Sequence, residues 1–164
     1  MKSTDRFLIG IVAGVIALVV IAFAVAYLRP APAYRAGSEP ADVAHNYLLA
    51  LQQGDYERAY GYLLPSLPGY PDSAEAFAEH TRKYTWNIRP DDLSATLQVE
   101  DARLTGNRAT VRVRETRFNQ NGLFQSEQYQ STFEVRLLRS QGVWRISGAD
   151  SFWVWCWDNR GGCE

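Results

Sequence analysis

The chain has 164 residues, 46% of them hydrophobic and 21% charged, with 17 basic against 18 acidic side chains and a formal net charge of −1. A balance this close provides no general field for capturing nucleic acid or an acidic substrate. Once an apolar N-terminal stretch is set aside, the length suffices for one hydrophobic core and not for two.

Phe7 to Leu28 reads FLIGIVAGVIALVVIAFAVAYL, without a charged residue. As a helix rising 1.5 Å per residue it is about 33 Å long, enough to cross a bilayer. The competing reading is a signal peptide cut near Ala31-Pro32-Ala33, although the apolar part of such peptides runs to only about 7 to 15 residues. Lys2 and Arg6 before the stretch are matched by Arg29 and Arg35 after it, so basic residues alone do not orient it. The tail at 1–6 is short and has export-signal character, which predicts a cytoplasmic N-terminus and an extracytoplasmic C-terminal domain. The two cysteines, Cys156 and Cys163, flank a short glycine-containing loop, a placement that suits a disulfide in an oxidising compartment or else a pair of reduced thiols. The expected organisation is therefore a tail at 1–6, a transmembrane helix at 7–28, a Pro/Ala-rich spacer at 29–38 and a soluble domain at 39–164.

In that domain Pro40 to Gln53 carries helix signals: Pro40 in the first turn, Asp42 near the N-terminus, apolar residues at helical spacing and Gly54 as a stop. A second helix is expected after Asp55, with Tyr56, Ala59, Tyr60 and Leu63 on one face up to Pro65. After the proline-punctuated run Pro65 to Pro71, a third is expected from Asp72, with Glu75 completing a capping box, to about Tyr84.

Beyond Pro90 the period falls to 2. Leu97 and Val99 mark one strand, Val111 and Val113 the next, Tyr129, Phe133, Val135 and Leu137 a third, and Trp144 with Ile146 a fourth. Gly106-Asn107, Asn121-Gly122 and Gln141-Gly142 provide the hairpin turns. Helices first and strands afterwards predict an α+β domain: three helices packed on a curved antiparallel sheet of about four to five strands.

The stretch Tyr47 to Tyr60, YLLALQQGDYERAY, resembles the opening of the nuclear transport factor 2-like superfamily, in which an aromatic-apolar helix ends in Gly-Asp and a second helix follows. Gly142-Val143-Trp144-Arg145-Ile146 is similar to that family's penultimate hairpin arm. The resemblance covers roughly residues 39 to 155. It implies a cone-shaped α+β fold, often with an apolar pocket; here Tyr47, Leu51, Tyr60, Phe77, Phe133 and Val135 are the expected lining. Ketosteroid isomerase belongs to the superfamily, and Tyr47 falls where the resemblance implies its oxyanion-hole tyrosine. The two carboxylates that such chemistry requires are not matched, since only Asp72 lies near the first and Thr132 stands around the second.

His45 and His80 each stand alone in sequence, and a half-buried or surface helix histidine is the simplest role for either. No nucleophile elbow, phosphate loop or metal-ligand spacing is present, so no catalytic residue, metal or cofactor is expected. Arg103, Arg108, Arg112, Arg114, Arg117, Arg136, Arg139 and Arg145 alternate with apolar residues, as on a solvated sheet face. Exposed aromatics of the kind that bind RNA do not accompany them.

Phe152-Trp153-Val154-Trp155-Cys156-Trp157 is the least ordinary segment. Read as a strand, it places Trp153, Trp155 and Trp157 on one side and Phe152, Val154 and Cys156 on the other. Three adjacent indoles need a cover, from a helix or the C-terminal loop of the chain, from lipid or from a partner. Trp153, Trp155 and Trp157 are thus the interface candidates. The functional expectation is a membrane-anchored, non-catalytic interaction module that binds an envelope protein or itself. A small-molecule binder with an apolar pocket is the alternative, followed by an isomerase or dehydratase.

Overall fold

A computed structural model of the chain describes residues 3–28, 32–85, 95–120 and 126–163. It divides into two units, 1–33 and 34–164. The first contains helix α1, Ser3–Tyr27. Within it Phe7–Val25 has a mean hydropathy of 3.1 and none of its surface is buried, so it is long and apolar enough to span a bilayer.

The second unit opens with an extended segment leading into α2, Pro40–Gln53, with Pro40 at its N-terminal end and Asp42 in its first turn. Gly54 ends the helix at φ 70°. There the Gly54 amide donates to Leu51 and the Asp55 amide to Ala50, the paired bonds that glycine in the left-handed region permits. Helix α3 is Tyr56–Gly61, and its Asp55 cap accepts from the Arg58 amide at 3.2 Å. It stops short of the expected Pro65 because residues 62–64 are recruited by the sheet. The Ile146 amide donates to the Tyr62 carbonyl and the Leu64 amide to the Ile146 carbonyl, both at 2.8 Å. Helix α4 is Ala74–Tyr84. Its cap is Ser73, whose hydroxyl accepts from the Ala76 amide, so the expected start at Asp72 with Glu75 as capping-box partner is displaced by one residue.

Four strands, β1 (Ala95–Thr105), β2 (Arg108–Gln120), β3 (Ser126–Ser140) and β4 (Val143–Ala149), form an antiparallel meander in the order β1-β2-β3-β4. Register shifts at Val99/Asp101 and Arg136/Leu137 mark irregularities of the kind that bend a sheet. The Gly106 and Gln141-Gly142 turns stand where the sequence put them, with positive φ at Gly106, Gln141 and Gly142. The Asn121-Gly122 turn lies outside the described residues. Residues 62–64 bridge β4 in place of a fifth full strand.

Helix α2 lies at the centre of the core, with Val43, Ala44 and Tyr47 to Leu51 all buried. Val111, Val113, Phe133, Val135, Leu137 and Ile146 complete the cluster from the sheet. The residues that mark the strands differ in burial. Leu97 and Val99, on edge strand β1, are only half-buried, and Tyr129, paired opposite Arg117, is 67% exposed.

The second unit begins at Tyr34, inside the segment read as a spacer. Asn46, only 4% exposed, holds Arg35 by both backbone groups, accepting from its amide at 2.8 Å and donating to its carbonyl at 2.9 Å. Beside it the Arg58 guanidinium lies 3.9 Å from the centre of the Tyr34 ring.

Candidate functional site

The chain leaves β4 through Phe152, whose φ of 58° is unusual for a bulky residue. The Tyr47 hydroxyl, fully buried on α2, donates to the Phe152 carbonyl at 3.0 Å. Burial pushes the Tyr47 phenol well above its ordinary range, because no charge or solvent is available to the phenolate. Its oxygen is thus spent on a backbone group, and Tyr47 is a core tyrosine.

The strand expected at 152–157 is replaced by a turn. Trp155–Asp158 forms a single 3₁₀ turn in which the Trp157 amide donates to the Val154 carbonyl at 3.1 Å. Since positions three apart eclipse in this geometry, Trp157 follows Val154 into the core instead of joining Trp155 outside. It is 1% exposed and stacks on Phe77 with ring centres 4.9 Å apart. The expectation of three indoles on one face is therefore corrected. Trp153 is half-buried, packs edge-on against Trp157 and donates its indole N–H to Asp158 at 3.2 Å. Trp155 remains 63% exposed, with Tyr84 edge-on beside it.

Cys156 and Cys163 are joined by a disulfide with Cα atoms 5.2 Å apart. The closed loop receives the proline run: the Gly69 amide donates to the Trp157 carbonyl at 2.9 Å. A Cβ at Gly69 would sit 2.4 Å from the Cys156 carbonyl oxygen and 2.7 Å from that of Asn159, so only glycine fits. Between the two loops runs a groove of about 340 Å³, with Tyr70, Asp72, His80 and Arg160 among its walls. His80 Nδ1 accepts the Trp157 indole N–H at 3.3 Å, which leaves the other nitrogen, Nε2, to carry the proton of the neutral ring. Tyr60 fixes the far wall by donating its hydroxyl to the Pro71 carbonyl at 3.0 Å.

Of the six residues expected to line a pocket, Tyr47, Leu51, Phe77, Phe133 and Val135 are buried members of the core cluster and Tyr60 packs against it half-buried. Phe133 lies against Phe152 at 5.4 Å and Tyr60 against Phe77 at 6.0 Å, and of the six Phe133 also lines a surface cavity of about 410 Å³ with Glu100, Arg112 and Asp150. Glu115, on the inward face of β2, is only 7% exposed. It accepts from Arg117 Nε at 2.5 Å and from the Ser131 hydroxyl at 3.4 Å. Its oxygens are thus engaged at the far end of the sheet, apart from the Tyr47 bond to Phe152.

The strand arginines behave as a solvated ladder. Arg103 and Arg112 pair with Asp101, Arg114 with Glu100, and Arg136 with Asp150. Arg139 donates to the Gly142 carbonyl and Arg145 to that of Gly61.

No protein-family model matches the sequence, and no curated relative matches it. Solved structures do. The chain is similar in fold to nuclear transport factor 2-like proteins. One, of unknown function and from Shewanella oneidensis, has 13% sequence identity and a TM-score of 0.42, covering 65% of this chain and 90% of its own. Another, from Novosphingobium aromaticivorans and described as having a cystatin-like fold, has 18% identity and a TM-score of 0.45, covering 66% of this chain and 75% of its own. A SEC-C motif-containing protein from Rhodopseudomonas palustris is similar at 14% identity and a TM-score of 0.47, over 71% of this chain and 81% of that one.

Sequence reasoning left unread the parts of Gly69, Asp158 and His80. Gly69 and the proline run read only as a loop, and the partners of Gly69 and His80 come from a distant segment that no local pattern announces, whereas Asp158 bonds Trp153 only five residues away.

Proposed function

We propose that this protein is a membrane-anchored, extracytoplasmic interaction module that binds another envelope protein or a second copy of itself and carries out no reaction. The observation that carries this reading is Trp155: an indole 63% exposed, set on a 3₁₀ turn that the disulfide closes and the buried Trp157 anchors. Large aromatics held rigid at a surface lose little entropy on docking, which is why tryptophan dominates binding hot spots. The apolar Phe7–Val25 helix supports the anchor, and the Cys156–Cys163 disulfide supports an oxidising compartment. The non-catalytic reading is supported by the commitment of Tyr47 and Glu115 to partners inside the fold.

The test places a photo-crosslinking residue at position 155 of the full chain in its native membrane, with exposed Leu104 as the control site. A discrete adduct at 155 and none at 104 is expected. Equal labelling at both sites, or none at 155, overturns the reading. A C-terminal reporter fusion scored on both membrane faces checks the orientation independently.

A further inference from the structure

We infer that the groove between the proline loop and the disulfide loop is a binding site for a small zwitterion, an amino acid or short peptide with a free ammonium and a free carboxylate. This site is independent of the Trp155 surface and stands whether or not that surface binds protein.

Three observations converge on it. Restraints fix both sides of the groove. The Tyr60 bond to the Pro71 carbonyl pins one wall, the disulfide pins the other, and the Gly69 bond to the Trp157 carbonyl ties the two loops together at its base. Its volume of about 340 Å³ falls within the range of small-ligand sites. Two opposite charges, Asp72 and Arg160, line it, and among the described residues neither makes an ion pair, although seven other pairs form across the domain. The third group is His80. Because its Nδ1 accepts from Trp157, its Nε2 carries the proton of the neutral ring and adds a donor to the groove wall.

Charge complementarity selects the ligand. A simple anion drawn to Arg160 meets the Asp72 carboxylate, and a simple cation drawn to Asp72 meets the guanidinium. A ligand with both charges satisfies both: its ammonium donates to Asp72, and its carboxylate accepts from Arg160 and from His80 Nε2.

Trp157 reports occupancy, since its indole N–H bonds to the His80 ring that the carboxylate would engage. The full chain in detergent micelles, with indole nitrogens labelled, is titrated with alanylalanine, N-acetyl-alanylalanine and alanylalanine amide. The Trp157 indole resonance is expected to shift saturably with free alanylalanine at a Kd of about 1 mM or below. Each blocked peptide is expected to bind about tenfold more weakly, and Asp72→Asn and Arg160→Gln each to lower affinity by a similar factor. Both positions are exposed, so unchanged thermal melts confirm that the variants fold. No saturable shift, equal shifts from all three peptides, or affinity unchanged in both variants overturns the inference.

Discussion

Two tyrosines show how much of this fold is settled by single polar atoms placed in apolar surroundings. Tyr47 donates to the carbonyl of Phe152, a residue held at φ 58°. Tyr47→Phe removes the donor and leaves that carbonyl without it at a buried site, so a loss of about 1 to 3 kcal/mol in denaturant unfolding is expected, with the fold retained. Tyr70 gives a pH signature. Burial first, and its contact with Tyr60 second, push its phenol up to about 12 from an ordinary 10.0. The folded state therefore prefers the neutral phenol. The stability this confers is complete below the unfolded value near pH 10.0 and is lost as pH rises through about 12. Unfolding midpoints measured across that window should fall with pH in the native chain and fall less steeply in Tyr70→Phe.

Helices whose ends are chemically marked were legible in the sequence, and elements chosen by distant contacts were not. Pro40, Asp42 and Gly54 bracket α2 because their backbone preferences are local, and the glycine turns of the meander follow the same logic. Helix α3 is shorter than its apolar period predicts because nothing within Leu63 or Leu64 reveals that the edge of β4 takes the backbone groups of this segment. The tryptophan segment departs from a strand for a related reason. Phe152, Val154 and Cys156 do alternate inward, so period 2 holds as far as Cys156. The 3₁₀ turn that sends Trp157 inward then depends on Phe77, His80 and Gly69, all far away in sequence. Of the candidate site, the sequence therefore indicated the disulfide and one exposed indole, but not the groove. The disulfide closes a loop with a sequence separation of 7. In the chain-entropy account, the double substitution Cys156→Ala, Cys163→Ala should cost about 2 to 3 kcal/mol. Denaturant unfolding measures it, and Trp157 emission should move toward that of a solvated indole as the loop loosens.

On the scale of the molecule, the boundary between the apolar helix and the folded domain falls at Tyr34 and not at residue 39, for a reason that burial makes quantitative. Asn46 sits in the first half of α2, where its side chain is nearly inaccessible to water, and its amide oxygen and nitrogen are both matched by the backbone of Arg35. Residues just outside the helix thus complete a hydrogen-bonding requirement created inside it. Tyr34 adds a second tie, with its ring beneath Arg58 and its hydroxyl 3.4 Å from Asp55. A fragment beginning at residue 39 strips both ties and leaves the amide of Asn46 with neither backbone partner. A fragment beginning at residue 32 keeps them. The shorter fragment should therefore unfold at lower denaturant by about 1 to 3 kcal/mol, with an unchanged slope, because the loss is of specific bonds and little surface. Asn46→Ala in the longer fragment should reproduce most of that deficit, and adding it to the shorter fragment should cost much less. Equal stability of the two fragments would mean that the clamp contributes nothing and that the domain does begin where helix periodicity alone places it.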